Sequence, residues 1–123
     1  MEAAARVTAF LHTLDVAVQD SGAGEWSMVL DAAGHPLPLS LEVHGMLLRA
    51  EAAVLPPGVI EPRQLLHWNR QAPLVCFAES PAGEVLLCGE IPLQSLDAEL
   101  LDRFLGLLLA SATRARQFVL PGA

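Results

Sequence analysis

Two cysteines, Cys76 and Cys88, are the residues of this 123-residue sequence whose spacing most directly suggests chemistry. They lie in two apolar segments, 74–79 and 84–90, joined by a short loop that contains Gly83. Counting outward from a three-residue hairpin loop pairs the two cysteines across the strands. Facing thiols could oxidise to a strained, easily reduced disulfide. Alternatively, both are small hydrophobic residues of a strand pair, and the absence of a neighbouring histidine or arginine favours this second interpretation.

The histidines and carboxylates show no spacing typical of a catalytic or metal site. No histidine lies two, three or four residues from another histidine or from a cysteine, so metal-ligand spacing is missing. The sequence also lacks a phosphate-binding glycine loop, a Gly-x-Ser-x-Gly motif and a zinc motif. It therefore predicts a non-enzymatic protein without catalytic residues, cofactor or metal. The residues considered are His12, His35, His44, His67, Glu42, Glu51, Glu79, Glu84 and Glu90.

Composition excludes several classes of protein. The net charge is -7, and all seven basic residues are arginines, so direct binding to a nucleic acid is not expected. Hydrophobic residues make up 53% of the chain, which is too many for a disordered protein. No apolar run is long enough to span a membrane, and the first residues do not resemble a signal peptide. We expect a cytoplasmic protein with one domain over 1–120 and a frayed tail over 121–123.

The hydrophobic pattern predicts an α+β fold in which helices cover one face of an antiparallel β-sheet. Helical spacing of apolar residues predicts a first helix, which the glycines after residue 21 end. Alternating apolar residues predict three strands, and Pro62 opens a second helix. Ser95 or Asp97 caps the last helix. The predicted order α-β-β-β-α-β-β-α covers 2–20, 26–30, 37–43, 46–54, 61–71, 74–79, 84–90 and about 97–117.

Both faces of the predicted 74–90 hairpin are apolar, which points to an interface. The helices can cover one face, so another chain is expected to cover the second. On the second helix, Trp68 is either a core residue or an exposed aromatic anchor of the kind enriched with arginine at interfaces. The candidate interface residues are Trp68, Arg70, Val75, Phe77, Val85 and Leu87.

The segments LLHWNR (65–70), PLVCFA (73–78) and VLLCGEIPL (85–93), with the leucine-rich last helix, resemble the bacterial YbjN family. That family is similar in fold to the class I type III secretion chaperones. The resemblance covers about 60–117 and implies a dimerising domain with the element order predicted above. Such chaperones are small, acidic and cytosolic, lack enzymatic activity, and bind an extended client segment along apolar grooves. Proteins of the YbjN type are linked to stress and regulatory roles.

The resemblance and the two-faced hairpin together predict a homodimeric, chaperone-like protein-binding module. An apolar surface would capture a client segment through side-chain pockets or through a strand added to the sheet edge. One alternative is a regulatory or stress-response adaptor that binds a nucleic-acid-binding protein. A second alternative is a thiol redox protein that uses Cys76 and Cys88.

Overall fold

The computed structural model describes residues 2–119, which form three α-helices and one six-stranded antiparallel sheet. The tail predicted over 121–123 lies outside the described residues. The spatial order of the strands is β1-β2-β3-β4-β6-β5. This architecture confirms the α+β fold class. The elements are α1 Glu2–Leu11, β1 Val18–Asp20, β2 Glu25–Ala32, β3 His35–His44, β4 Leu47–Leu55, α2 Pro62–Gln71, β5 Val75–Glu79, β6 Val85–Pro92 and α3 Ala98–Val119, with a 3₁₀ turn at Leu93–Ser95.

The first helix is shorter than predicted, because it ends at Leu11 rather than at residue 20. Thr13 closes the last turn by donating both its backbone N–H and its hydroxyl to the carbonyl of Phe10. The chain then turns and forms β1, which pairs with β2. The helix predicted beyond Leu11 was therefore wrong, although the apolar spacing continues to residue 17. Leu14 and Val16 reach the core from a loop instead.

The 74–90 hairpin has the predicted register. Cys76 lies opposite Cys88, and Ala78 lies opposite Leu86. The loop closes with a backbone hydrogen bond from Ser80 to Glu84, and Gly83 has a φ of +88°, which favours glycine.

One face of the sheet carries the hydrophobic core, and the other face is open. Along β3 and β6 every second side chain is buried, which is the period of a strand with one covered face. The helices α1 and α3 pack on the buried face, and α2 packs beside β5. Trp26 of β2 donates its indole N–H to Thr8 of α1 at 3.0 Å. Asp97 caps α3, because its carboxylate accepts the Leu100 N–H at 2.7 Å.

Candidate functional site

Five of the six candidate interface residues lie in the core of the monomer, and only Arg70 is exposed. The helices α2 and α3 pack against the hairpin face that carries the four candidates of β5 and β6. The outward face is therefore the one we did not choose from the sequence, with Leu74, Cys76 and Ala78 exposed on it. Partner contacts by the five buried residues stay a prediction. They are Trp68, Val75, Phe77, Val85 and Leu87.

Trp68 is the centre of an aromatic cluster between α2, β5 and α3. Its ring lies 5.6 Å from that of Phe77 and 5.2 Å from that of Phe118, the latter in an edge-on geometry. The Arg114 guanidinium lies 5.0 Å from the Trp68 ring centroid, within cation–π range. The cluster reaches the surface through Phe118, which is 54% exposed. Sequence reasoning missed both α3 residues, although their four-residue spacing places them on one side of a helix.

The outer face of α2 combines an exposed leucine with two arginines. Arg63, Leu66 and Arg70 recur at helical spacing on the side opposite Leu65 and Trp68, and all three are exposed. Leu66 is 69% exposed, although leucine is a residue that usually favours the interior. A positively charged helix face on a chain of net charge -7 is a local exception to the acidic surface.

The outer edge of β5 is partly covered by a side chain of α2. Asn69 accepts the Phe77 N–H at 2.6 Å and donates to the Phe77 carbonyl at 3.0 Å. These are the backbone groups that a further strand would need at this edge. Asn69 therefore blocks strand addition at the centre of β5.

The open sheet face holds an apolar groove with a polar border. Neighbouring strands contribute Val29, Pro38, Ala53 and Leu86, which line a depression of about 740 Å³. We call these four residues the apolar groove. Beside it, across the strands, runs a polar row formed by Ser27, Ser40, Glu51 and the two cysteines.

Next to that polar row lies a charged row. Arg49 pairs with Glu90 at 2.7 Å, and this hydrogen bond raises the pKa of the arginine. The pair is exposed, so it contributes little to stability. Glu42 lies opposite Arg49, and Glu25 lies opposite Glu42. Carboxylates therefore outnumber arginine on this face, which suits a ligand with positive charge.

The β1–β2 ladder covers only part of the outer edge of β2. The last β1 pair joins Val18 to Met28, and β2 continues to Ala32. The Val43 N–H donates to the Gly24 carbonyl, which fixes the alternation of the ladder between β2 and β3. By that alternation the backbone groups of Val29 and Asp31 point away from β3. Val29 lies opposite Ala17, which directly precedes β1, whereas Asp31 lies past the β1 ladder.

The two cysteines are free thiols on the open face. Cys76 is exposed and Cys88 is half-buried. Burial raises the pKa of Cys88, and the Glu51 carboxylate raises it further. The two cysteines face each other, as the redox alternative requires. The raised pKa means that Cys88 is not an activated thiolate.

Within residues 2–119, no three histidine, cysteine, aspartate or glutamate side chains form a group that could hold a metal ion. The four histidines are all exposed, and His35 and His44 lie at opposite ends of β3. No helix among the described residues has the length and apolar character needed to cross a membrane.

A family model described as "Putative bacterial sensory transduction regulator", YbjN, matches residues 3–120. The chain belongs to the YbjN family. This confirms the resemblance that the C-terminal half suggested and extends it through the N-terminal half of the YbjN domain. No curated protein matches this YbjN chain.

Solved structures similar to this YbjN protein include a type III secretion chaperone and a chain of a chaperone–effector complex, which confirms the predicted fold. A chain of the ExsC-ExsE complex superposes with a TM-score of 0.71 at 21% identity, over 98% of this chain and 93% of that one. A chain of the HopA1-SchA chaperone–effector complex gives 0.69 at 17% identity over 88% of both. The Yersinia pestis type III secretion chaperone SycH, in complex with a stable fragment of YscM2, gives 0.68 at 14% identity over 91% and 98%.

Proposed function

We propose that this YbjN-family protein is a non-enzymatic, homodimeric, chaperone-like module of the cytoplasm that captures a segment of a client protein. In this proposal residues 1–120 act as one domain. Support comes from the similar solved structures, which include a chaperone–effector complex and a chaperone bound to a protein fragment. Further support comes from two exposed surfaces that combine apolar and charged residues, the open sheet face and the outer face of α2.

The observation that carries the client site is the end of β2 that continues past β1, beside the apolar groove. An extended segment could hydrogen-bond to the backbone of Asp31, as in strand addition. Its side chains on the open face would then meet Val29, which is 58% exposed, and the rest of the groove. The carboxylates of the adjoining rows favour a client segment in which basic residues flank apolar ones. The opposite edge is less suited, because Asn69 occupies the backbone of β5.

Replacing Val29 with aspartate should reduce client capture. The change puts a carboxylate where the client would bury an apolar side chain, and burying an unpaired charge costs more than about 1.4 kcal/mol, or tenfold in affinity. We expect recovery of specific partners to fall at least about tenfold. The measurement is affinity purification of the tagged protein from its native cell, with partners quantified by mass spectrometry.

The matched control for the Val29 experiment is Val59→Asp, since Val59 is also an exposed valine but lies in the turn before α2. Partners lost with Val29→Asp and kept with Val59→Asp support the client site. Equal recovery with both variants would contradict it. Asp31→Pro separates the two binding modes, because it removes an edge N–H past β1 and leaves the Val29 side chain in place. A nucleic-acid-binding protein among the specific partners would indicate the regulatory adaptor considered above.

For the dimer we propose the outer face of α2, with Leu66 at its centre. Two copies of the helix packed antiparallel about a two-fold axis would bring the Leu66 side chains together. The same arrangement would place Glu61, just before the helix, near the partner's Arg70. Glu61 beside the partner's Arg70 offsets the repulsion between the arginines of the two copies, whereas the carboxylates of the open sheet face would repel their copies.

Leu66→Asp should weaken the dimer at least about 30-fold, because loss of a central interface anchor costs about 2 kcal/mol or more. Sedimentation velocity across micromolar concentrations measures the monomer–dimer equilibrium. Met46→Asp is the matched control, since Met46 is 74% exposed at the turn between β3 and β4, away from α2. A wild-type protein that sediments as a monomer would refute the dimer, and equal effects of both variants would refute the α2 interface.

A further inference from the structure

The cysteine pair on the open sheet face has a geometry that the proposed client binding does not use. Cys76 and Cys88 are directly opposed across β5 and β6, and neither is in a disulfide. Both side chains point away from the helices, because the alternate residues Val75 and Phe77 are the buried ones. The thiols are therefore adjacent to each other and accessible from solvent on the Cys76 side.

Asn69 establishes which kind of pair the cysteines form. Phe77 directs its N–H and carbonyl outward to the Asn69 side chain, so it makes no ladder bonds with β6. Its neighbour Cys76 must then direct its own N–H and carbonyl toward β6. The hydrogen bond from the Ser80 N–H to the Glu84 carbonyl agrees, because Ser80 lies four residues from Cys76 and therefore faces β6 in the same way. Cys76 and Cys88 thus form a hydrogen-bonded pair, whose Cα atoms lie about 5.5 Å apart.

This separation permits a disulfide but not a relaxed one. Disulfide-bonded cysteines have Cα atoms about 4.4–6.8 Å apart and Cβ atoms about 3.8 Å apart. Facing Cβ atoms of a strand pair are about 4.5–5.5 Å apart, and hydrogen-bonded pairs lie at the wide end of this range. Closing the bond must therefore draw β5 and β6 together locally. Strained and exposed disulfides are the readily reduced ones.

We propose that Cys76 and Cys88 form a reversible dithiol–disulfide site that reacts with small cationic or uncharged disulfides. The preference for charge follows from the surroundings. Glu51 lies opposite Cys88 on β4, and Glu90 lies on the same face of β6 two residues further on. Arg49 is the nearby cation and is already paired with Glu90. An anionic disulfide is repelled by this surface, whereas a cationic one is concentrated at it.

The reaction is an exchange that needs no other oxidant. The thiolate of the exposed Cys76 attacks one sulfur of the disulfide R–S–S–R, so that a Cys76–S–S–R bond forms and R–S⁻ leaves. The thiolate of Cys88 then attacks the Cys76 sulfur and displaces the second R–S⁻. The two leaving thiolates take up the two protons that the cysteines lost. In sum, the two cysteine thiols are oxidised by two electrons and one R–S–S–R is reduced to two R–SH.

The test treats reduced, folded full-length protein with excess cystamine and measures its intact mass after acid quenching. The wild type should lose two hydrogen atoms and keep no adduct, while Cys88→Ser should retain one cysteamine on Cys76. Glutathione disulfide, which is anionic, should react at least about fivefold more slowly at low salt, and about 1 M salt should reduce this difference. Dithiothreitol should restore the starting mass.

The matched control is Cys88→Ser combined with Leu86→Cys, which keeps two thiols on the same face but moves one to a diagonal position. Diagonal Cα atoms lie about 7–8 Å apart, beyond disulfide reach, so this variant should stop at mixed adducts. Mixed adducts on the wild type, or a disulfide that forms only in denaturant, would overturn the site. Equal rates with both disulfides would overturn its preference for charge. The mass of the wild type alone shows whether the disulfide forms, since the chain has only these two cysteines.

Discussion

Replacing Arg116 with leucine should lower the free energy of unfolding by about 4 kcal/mol, because it leaves carbonyl oxygens without a partner. Arg116 is buried near the end of α3. Its guanidinium donates to four backbone carbonyls at 3.0–3.1 Å, so one side chain joins the helix to β4 and to both sides of the β2–β3 turn. Leucine would fill part of the volume without any donor. The acceptors are the carbonyls of Val54, Ala32, His35 and Pro36.

Burial lowers the pKa of Arg116, and the nearby Asp31 partly opposes this effect. The carbonyl acceptors replace the water that the buried cation has lost. Arg116→Lys keeps the charge but offers one point of donation instead of a planar fork, so we expect it to recover about half of the loss. Comparing the two variants therefore separates the effect of the planar guanidinium from that of the positive charge.

Equilibrium urea denaturation followed by circular dichroism measures these changes. Arg103→Leu is the matched control, because it makes the same substitution at an exposed position of the same helix. Its effect should stay within about 0.5 kcal/mol, as for most surface substitutions. If Arg116→Leu and Arg103→Leu have equal stabilities, the carbonyl bonds are not what holds α3 to the sheet.

The sequence predicts the elements whose signals are local. The 74–90 hairpin is an example, because the glycine loop fixes its register and hence the Cys76–Cys88 pair. The second helix is another, since Pro62 starts it and the residue before Pro73 ends it. The strand β1 has no such signal, because three residues are too few to show a period, and it forms only through its pairing with β2.

The outward face of the hairpin could not be predicted from its pattern. A strand period of two says that Val75 and Cys76 face opposite ways, but both sets are apolar, so the pattern does not say which set is inside. The docking of α2 and α3 decides this, and it buries Val75 and Phe77. The roles of Arg116 and Asn69 were missed for the same reason, because their backbone acceptors and donors come from distant or separately folded segments.

Gly89→Ala should lower the free energy of unfolding by about 3 kcal/mol, at the upper end of the cost of overpacking a core. Gly89 lies on β6, facing the helices. A Cβ atom there would lie 2.5 Å from Cε1 of Phe104 and 2.9 Å from the carbonyl oxygen of Leu74. The phenylalanine ring is fully buried on α3, and Leu74 has a φ of +65°, so neither neighbour can move without further strain.

Urea denaturation of Gly89→Ala beside Gly106→Ala tests this, because the two make the same change with opposite expected signs. Gly106 is an exposed residue of α3 with no atom within 4 Å of a built Cβ, so alanine there should add up to about 1 kcal/mol of stability through helix propensity.

Combining Gly89→Ala with Phe104→Leu should cost less than the sum of the two single changes, by about 1 kcal/mol, since the smaller side chain makes room. An additive double variant would assign the clash to the Leu74 carbonyl instead of the ring. A Gly89→Ala protein as stable as the wild type would show that α3 does not pack as tightly against β6 as the structure has it.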